Sequence, residues 1–557
     1  MGSHDYAQKN EKGSLYMTKP EKIIKRNDDL SSKNSNWNSY WQQLATFCLP
    51  RKAWIDSIKI TGEQLKLKTV FDSTAMRSLK TMAAGFHSNL TNPSSKWFNL
   101  RTRDMALMDS KDVSVWFKEV EDVIFGTLNS SNFDTTMQEF YLNSGCFGTG
   151  SVLTLEDAKE KVRFTEIPIE QIMIEEDAYG RVNRMYRSFN MTVQQAFDRW
   201  GANAGEAVLD KLENKPNEDM KFLHYVGPRE KTQAGKEDSI NMPYESIWIE
   251  VSKKHLIGEG GFKEFPYAVG RFYKDTNDVF GYSPAMDALY EIKLINAQVR
   301  TMLRASMKQS DPALVVPRRG YVLPLNLNPG AVNYRDDKIA SDSLTQIPSG
   351  GNLPITFEIV QAGKQDIKDS FFVPLFQAIS NITHQMTIPE VQRRVAENMV
   401  LLGPVVGRFT QEVLDPIILR VFSILWDAGD IPEPPQELQD QEMDIVYISP
   451  LAKVQRTSEI YEMQAFMQDV GMIATAKQEV IDKIKGDTFV DELATIRGIN
   501  PELLASDEEV SQIRQQRAEA MAQQQQQAQM AQAAQTADVG SKALKNVKEA
   551  EAVGETE

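Results

Sequence analysis

Four cations, Lys293, Arg300, Arg304 and Lys308, recur along the stretch GYSPAMDALYEIKLINAQVRTMLRASMKQSDP. Residues seven and four positions apart share one face of a helix, so the second half of this helix carries a basic stripe. Such a stripe is ordinarily a solvated face. Its functional reading is contact with something anionic: spaced cations suit backbone phosphates, which are bound without regard to base identity. No aromatic residues interleave with them to stack single-stranded bases.

Other chemistry is scarce. There is no GxxxxGK[ST] phosphate cradle, no HExxH and no GxSxG elbow. GEGGFKE lacks the Lys-Ser/Thr end of a phosphate loop and reads as a turn, and GCFGTG at 145–150 reads as a chain reversal between a helix and a strand. The acids at 175–177 read as a charged hairpin tip before Ala178-Tyr179-Gly180 rather than as metal ligands. His87 reads as a packed or surface histidine. His384, beside Met386 in a loop, is kept as a candidate contact only. Cys48 and Cys146 form no CxxC pair and the five histidines are scattered, which argues against a disulfide framework or zinc site and for a reducing compartment. No catalytic residue, metal or cofactor is assigned.

The chain has 557 residues, 41% of them hydrophobic, and a formal net charge of −15. That length corresponds to roughly three or four domains. The acidic balance excludes a protein that coats itself in nucleic acid, leaving loose or local contact with DNA. The polar, Lys-rich N-terminus has no secretion-signal core, and MGSH could be a cloning remnant. The longest apolar run, Met399–Gly407, is about half a membrane span, so none is expected.

The elements that would position these residues form an α+β, mainly helical chain. Helical stripes run through Trp37, Tyr40, Trp41, Leu44 and Phe47, through Met76, Leu79, Met82, Phe86 and Leu90, and through Val113, Phe117, Val120 and Ile124. SVLTLE, VRFTEIP, QIMIEED, GRVNRMYRSF, SIWIEVSKK and PYAVGRFYK read as strands of an antiparallel sheet. Thr192 and Gln195 predict a capping box and Gly201 a helix stop. Ser283 predicts a cap for the helix that carries the cations, with Pro284 in its first turn. Residues 311–363 read as a β-rich insert with ALVVP and ITFEIV as strand-like pieces, followed by a helix over KQDIKDSFFVPLFQAISN. The domains are therefore expected to be discontinuous in sequence.

The stretch ENMVLLGPVVGRFTQEVLDP, residues 397–416, sets a puzzle, because helical apolar spacing runs through Gly403, Pro404, Gly407 and Pro416. Val395, Met399, Leu402, Val406, Phe409, Val413, Ile417 and Val421 keep one phase. The reading is one long helix, or two abutting pieces, bent where Pro404 removes a hydrogen bond. The Gln/Ala-rich tail has little to bury and reads as disordered or a frayed helix.

WNSYWQQLATFCLPR, LKTMAAGFHSNLTNPSSKWFNL, FGTGSVLTLED, FYKDTNDVFGYSPAMDALYEIKLIN, TIPEVQRRVAENMVLLGPVVGRFTQEVLDPIILRVF and YISPLAKVQR occur in order over about residues 37–456. Together they resemble the head-to-tail connector, or portal, proteins of short-tailed bacteriophages. The resemblance implies a portal fold: wing at 1–282, first stem helix at 283–308, clip at 309–364, second stem helix at 365–383, tunnel-facing loop and kinked returning helix at 384–450, crown at 451–510 and tail at 511–557. It implies a ring of twelve copies at one capsid vertex of the virion, assembled in the host cytoplasm, with double-stranded DNA passing through. The major capsid protein, the packaging terminase and tail adaptor proteins would be partners. Lys293, Arg300, Arg304, Lys308, His384, Arg393 and Arg394 are the channel candidates, and Gly403, Pro404 and Gly407 the kink. Twelve copies would carry a formal −180, a wall along which DNA can slide. The alternatives are another virion component, such as a tail adaptor or scaffold, or a packaging ATPase or nuclease.

Overall fold

The structure, a computed structural model, describes residues 17–53, 55, 69–108, 110–231, 238–310, 314–315, 345–346, 353–380, 402–438, 443–447, 466–473, 485–497, 505, 509–527, 530, 542 and 545. It divides into two compact units, both discontinuous in sequence as expected. The first comprises Met1–Phe98, Glu121–Ile431 and Tyr447–Glu459; the second comprises Asn99–Val120, Pro432–Val446 and Ile460–Glu557.

The helical stripes become buried faces. Helix α1 (Lys19–Lys33), unassigned from sequence, starts with Pro20 in its first turn and with the Thr18 N–H held by Glu21 at 3.0 Å. α2 (Ser35–Cys48) buries Trp41 and Leu44, and α3 (Thr74–Leu90) buries Leu79, Met82, Phe86 and Leu90. After α4 (Met105–Met108), α5 (Lys111–Ser130) buries Val113, Phe117, Val120 and Ile124. α6 (Phe133–Phe147), also unassigned, ends at Gly148 in a left-handed conformation, φ 79°. A Cβ there would lie 2.1 Å from the Gly281 carbonyl oxygen, so the GCFGTG reversal needs glycine for both conformation and space.

The expected antiparallel sheet is present as two sheets. Strand β1 (Phe98–Thr102) pairs elsewhere, with a late strand at Met443–Tyr447. β2 (Thr149–Asp157) and β3 (Lys161–Glu166) begin the first sheet. β4 (Ile172–Glu176), β5 (Val182–Thr192), β6 (Asp219–Pro228), β7 (Tyr244–Glu250) and β8 (His255–Phe262) form the second, in that order, and β9 (Tyr267–Arg271) returns to the first, giving β3-β2-β9. The EED acids do lie at the β4–β5 turn, where Asp177 accepts from the N–H groups of Tyr179 and Arg181. One expectation is corrected: Gly258–Phe262 of GEGGFKE is edge strand, not turn. Its glycines, on the edge of the sheet, leave no apolar alternation to mark a strand. α7 (Val193–Trp200) and α8 (Glu206–Leu212) bury Val193, Ala196 and Val208 with Met220 and Phe222. The Thr192/Gln195 capping box is formed reciprocally at 3.2 Å, and Gly201 ends the helix at φ 56°.

After β9, Ser283 caps α9 (Pro284–Asp287), accepting from the Met286 N–H at 3.1 Å. α10 (Leu289–Ser310) and α11 (Leu353–Ser370) pack as a helical pair, and α12 (Val373–Ser380) follows. Two expectations change here. ITFEIV is helix: Val360, Gly363 and Ile367 recur at helical spacing, and packing against α10 overrides the branched residues' strand preference. A Cβ on Gly363 would stand 2.4 Å from Ile295 Cδ1, the close approach of the pair. The helix across KQDIKDSFFVPLFQAISN is two helices, broken at Phe371-Phe372 with Phe372 at φ 55°; Pro374 then falls in the first turn of α12, where its missing N–H is harmless. Within the insert, Leu314–Val315 of ALVVP pairs antiparallel with Thr345–Gln346.

The first unit closes with a helix over Gly403–Asp427, and the second unit holds Gly486–Arg497 and a helical stretch at 509–527. In that unit Arg101 reaches Asp444 at 3.0 Å, Trp116 Nε1 donates to the Pro432 carbonyl at 2.9 Å, and Arg514 pairs with Asp487 at 2.7 Å.

Candidate functional site

The four cations lie on α10, but unequally. Lys293 is half-buried and donates to Gln43 Oε1 at 2.5 Å, while the Arg300 guanidinium sits 5.4 Å from the Phe71 ring centre. Arg300, Arg304 and Lys308 are all exposed. The apolar face beside them, Leu289, Ile292, Ile295 and Val299, is buried, but its continuation is not: Leu303 and Met307 are exposed, Met307 by 68%. On α11, Phe357 and Ile359 are likewise exposed. His384, Arg393 and Arg394 lie outside the described residues.

The kink candidates belong to the helix at Gly403–Asp427. Leu402, Val406, Phe409, Val413, Ile417 and Val421 are all buried, so the stripe keeps its phase. Val395 and Met399 fall outside the described residues, as does the arm preceding Leu402, so the bend expected at Pro404 has only one described arm. Pro404 stands in the first turn of that arm, a position that needs no N–H. The irregularity that is described comes later. Thr410–Leu414 is π-helical and ends two residues before Pro416, which has no N–H for the carbonyl four residues back, that of Glu412. In a π turn a carbonyl reaches five residues ahead, past such a proline.

That π turn carries Glu412, the partner of a buried arginine that the sequence reading missed. Arg271, on β9, is 2% exposed. Its backbone N–H and Nε both donate to Glu412 Oε2, at 2.9 and 3.2 Å, and one terminal nitrogen donates to Glu412 Oε1 at 2.7 Å. The other terminal nitrogen pairs with Glu176, which also holds Lys274 at 2.5 Å, while the nitrogen that meets Glu412 Oε1 also reaches the Gly180 carbonyl at 3.1 Å. Of the EED acids, Glu176 therefore ties the end of β4 to Arg271 on β9 and, through it, to Glu412 on the long helix. An arginine inside the strand-forming run YAVGRF was the available signal.

His224 touches Tyr267 OH at 2.7 Å through Nδ1 and Ser246 Oγ at 2.9 Å through Nε2, and stacks on Trp248 at 3.7 Å. The Ser–His pair resembles a nucleophile and base, yet all three polar partners are buried and both ring nitrogens are committed. Burial, then the nearby Arg187 and Arg199, hold its pKa well below the usual value. Protonation therefore favours the unfolded chain. Stability is expected to be full above about pH 6.5 and to fall below it by up to about 1.4 kcal/mol per pH unit. Melting curves between pH 5 and 8 check this, and a His224→Gln variant should have a flatter profile across that window.

Glu166 shows the opposite sign. It accepts from Asn143 Nδ2 and lies 3.7 Å from Lys52, but burial outweighs both and pushes its pKa up to about 7. The fold favours its protonated form. That contribution is present below the unfolded value near 4.5 and is lost as pH rises through 7. Glu166→Gln is expected to be stabilising at pH 8, by on the order of 1–3 kcal/mol, and close to neutral at pH 5 in parallel denaturant titrations. Cys48 and Cys146 are free, buried and adjacent, and burial raises the Cys146 thiol, which makes it unreactive. His87 pairs with Asp134 at 2.8 Å. Among the described residues no cluster of His, Cys, Asp or Glu is placed to hold a metal ion, and no helix is long and apolar enough to cross a membrane.

The chain belongs to the family of bacteriophage head to tail connecting proteins, whose sequence model matches residues 20–504. Its relatives include the portal protein of Salmonella phage epsilon15, 29% identical over 510 residues, covering 90% of this chain and 91% of that protein. The probable portal protein of Bordetella phage BPP-1 is 30% identical over 518 residues, covering 90% and 92%. Neither name denotes an enzymatic activity. A solved structure, the neck of an empty GTA particle computed with C6 symmetry, aligns over 72% of this chain and 88% of its own at 13% identity, with a TM-score of 0.32, too low to define a shared fold. The resemblance read from the ordered segments is thus established at the level of the family.

Proposed function

We propose that this connector acts as the portal of a phage particle. Twelve copies close into a ring at one capsid vertex, double-stranded DNA enters and leaves through the central channel, and the ring is the docking platform for the terminase and then the tail. In this reading the portal layout has its first stem helix at 283–308, its clip at 309–364 and its second stem helix at 365–383, so that α10 lies in the first stem helix, α11 runs from the clip into the second, and the helix at Gly403–Asp427 is the return to the wing.

The observation that carries the reading, beyond family membership, is the helical pair. Tyr290, Leu294, Leu303, Met307, Phe357 and Ile359 are large apolar side chains left exposed on α10 and α11. Two helices whose apolar surface outruns their own fold call for cover from identical neighbours. A net charge of −15 per copy gives the assembled wall an acidic character that repels DNA and lets it slide. Electron micrographs and native mass measurements of the full chain test this: rings with a central hole and twelve-fold symmetry are expected. A monomer at all concentrations, or nucleotide hydrolysis by the purified chain, would overturn it.

A further inference from the structure

The charge on the helical pair is segregated. From Ile292 to Ser310, α10 has four cations and no acid. On α11, Glu358, Asp366 and Asp369 are exposed on one face; of its two lysines, Lys364 is held by Asp72 at 2.9 Å, and Lys368 lies toward the other side. At about 100° per residue, the α10 cations centre roughly 120° round from the Ile292–Val299 face that meets α11. The α11 acids centre roughly 140° round from the Val360–Ile367 face that meets α10. The antiparallel pairing of Leu314–Val315 with Thr345–Gln346 turns the chain back between the two helices; with the helices thus antiparallel, the two charged faces point in roughly opposite directions, one on each flank of the pair. Exposed apolar residues border both: Leu303 and Met307 beside the cations, Ile359 beside the acids.

Opposite flanks with complementary charge are what a head-to-tail contact between identical subunits requires, since it joins two different surfaces of the same chain. The geometry points to such a contact: the Arg300–Arg304–Lys308 flank of α10 docks against the Glu358–Asp366–Asp369 flank of α11 in the next copy, with Leu303, Met307 and Ile359 buried in the seam. This rests on the ring reading above and deepens it by naming the mating faces. It also gives the cations a different occupant from the one their spacing first suggests. Phosphates would satisfy them equally in charge, but would leave the acidic flank and both apolar borders uncovered.

The test uses the full chain with R300E/R304E and D366K/D369K, both at exposed positions, with thermal melts as the control for folding. Each variant alone is expected to need at least tenfold higher concentration to form rings in mass photometry and micrographs. An equimolar mixture should restore rings, because each variant then offers the charge that the other lacks. R300Q/R304Q should weaken assembly less and reduce its salt sensitivity. If R300E/R304E forms normal rings alone but loses DNA retention, the cations face the channel and the proposal is overturned. A mixture that fails to assemble also overturns it. If the unmodified chain forms no rings, the portal reading itself has failed, and that outcome is recognised without the variants.

Discussion

Replacing Arg271 by Met is expected to destabilise the first unit by about 3–5 kcal/mol. The loss is larger than the pair's net contribution, because Glu412 and Glu176, both mostly buried, remain behind. Lys274 still neutralises Glu176, whereas Glu412 keeps only the longer, partly exposed pair with Arg408 at 3.5 Å, so the poorly compensated charge falls mainly on Glu412. The π turn that holds Glu412 against β9 would then lose its anchor. The Arg271→Met/Glu412→Met double variant removes both charges and should recover much of the loss, as expected when a buried ion pair is replaced by apolar groups of similar size. Urea titrations of the two single variants and the double variant check this. Additive losses would show that the two residues are not energetically coupled.

Phe409→Ala should cost a similar amount, about 3–5 kcal/mol, for a different reason. Phe409 is 1% exposed, with ring centres of Phe86, Phe140, Tyr141 and Phe272 at 5.8, 5.5, 5.9 and 5.7 Å. These rings come from α3, α6 and the residue after β9, so a single truncation opens a cavity where the long helix meets both the helices and the sheet. Close packing of side chains against the Gly270 backbone limits collapse into it: a Cβ there would already lie 2.4 Å from Val413 Cγ2 and 2.7 Å from Phe140 Cζ. Phe409→Leu keeps most of the volume and should cost clearly less. Denaturation followed by circular dichroism decides it; a loss under about 1 kcal/mol for the alanine variant would mean that the cluster relaxes freely.

Much of the architecture was legible along the chain. The stripes at Leu79–Leu90 and Leu402–Val421, the capping box at Thr192, the cap at Ser283 and six of the strands depend on side chains a few residues apart, and local periodicity records them directly. The order of longer segments also carried the family. Failures fell where local preference and long-range packing disagreed. ITFEIV has strand-forming residues, yet α10 recruits Val360 and Ile367 into a helix–helix seam. The Gly-rich edge strand at His255–Phe262 is defined by its pairing with β7 rather than by its own side chains.

The site divides the same way. Spacing alone placed Arg300, Arg304 and Lys308 on one helix face, because 3.6 residues per turn is a property of any helix. Which surface that face meets depends on the acids of α11, fifty or more residues later, and on the direction in which the two helices pack. Arg271 and Glu412 lie 141 residues apart and nothing in either neighbourhood names the other. Local pattern follows from backbone geometry, whereas the partner of a buried charge is decided only when the tertiary fold removes water from around it.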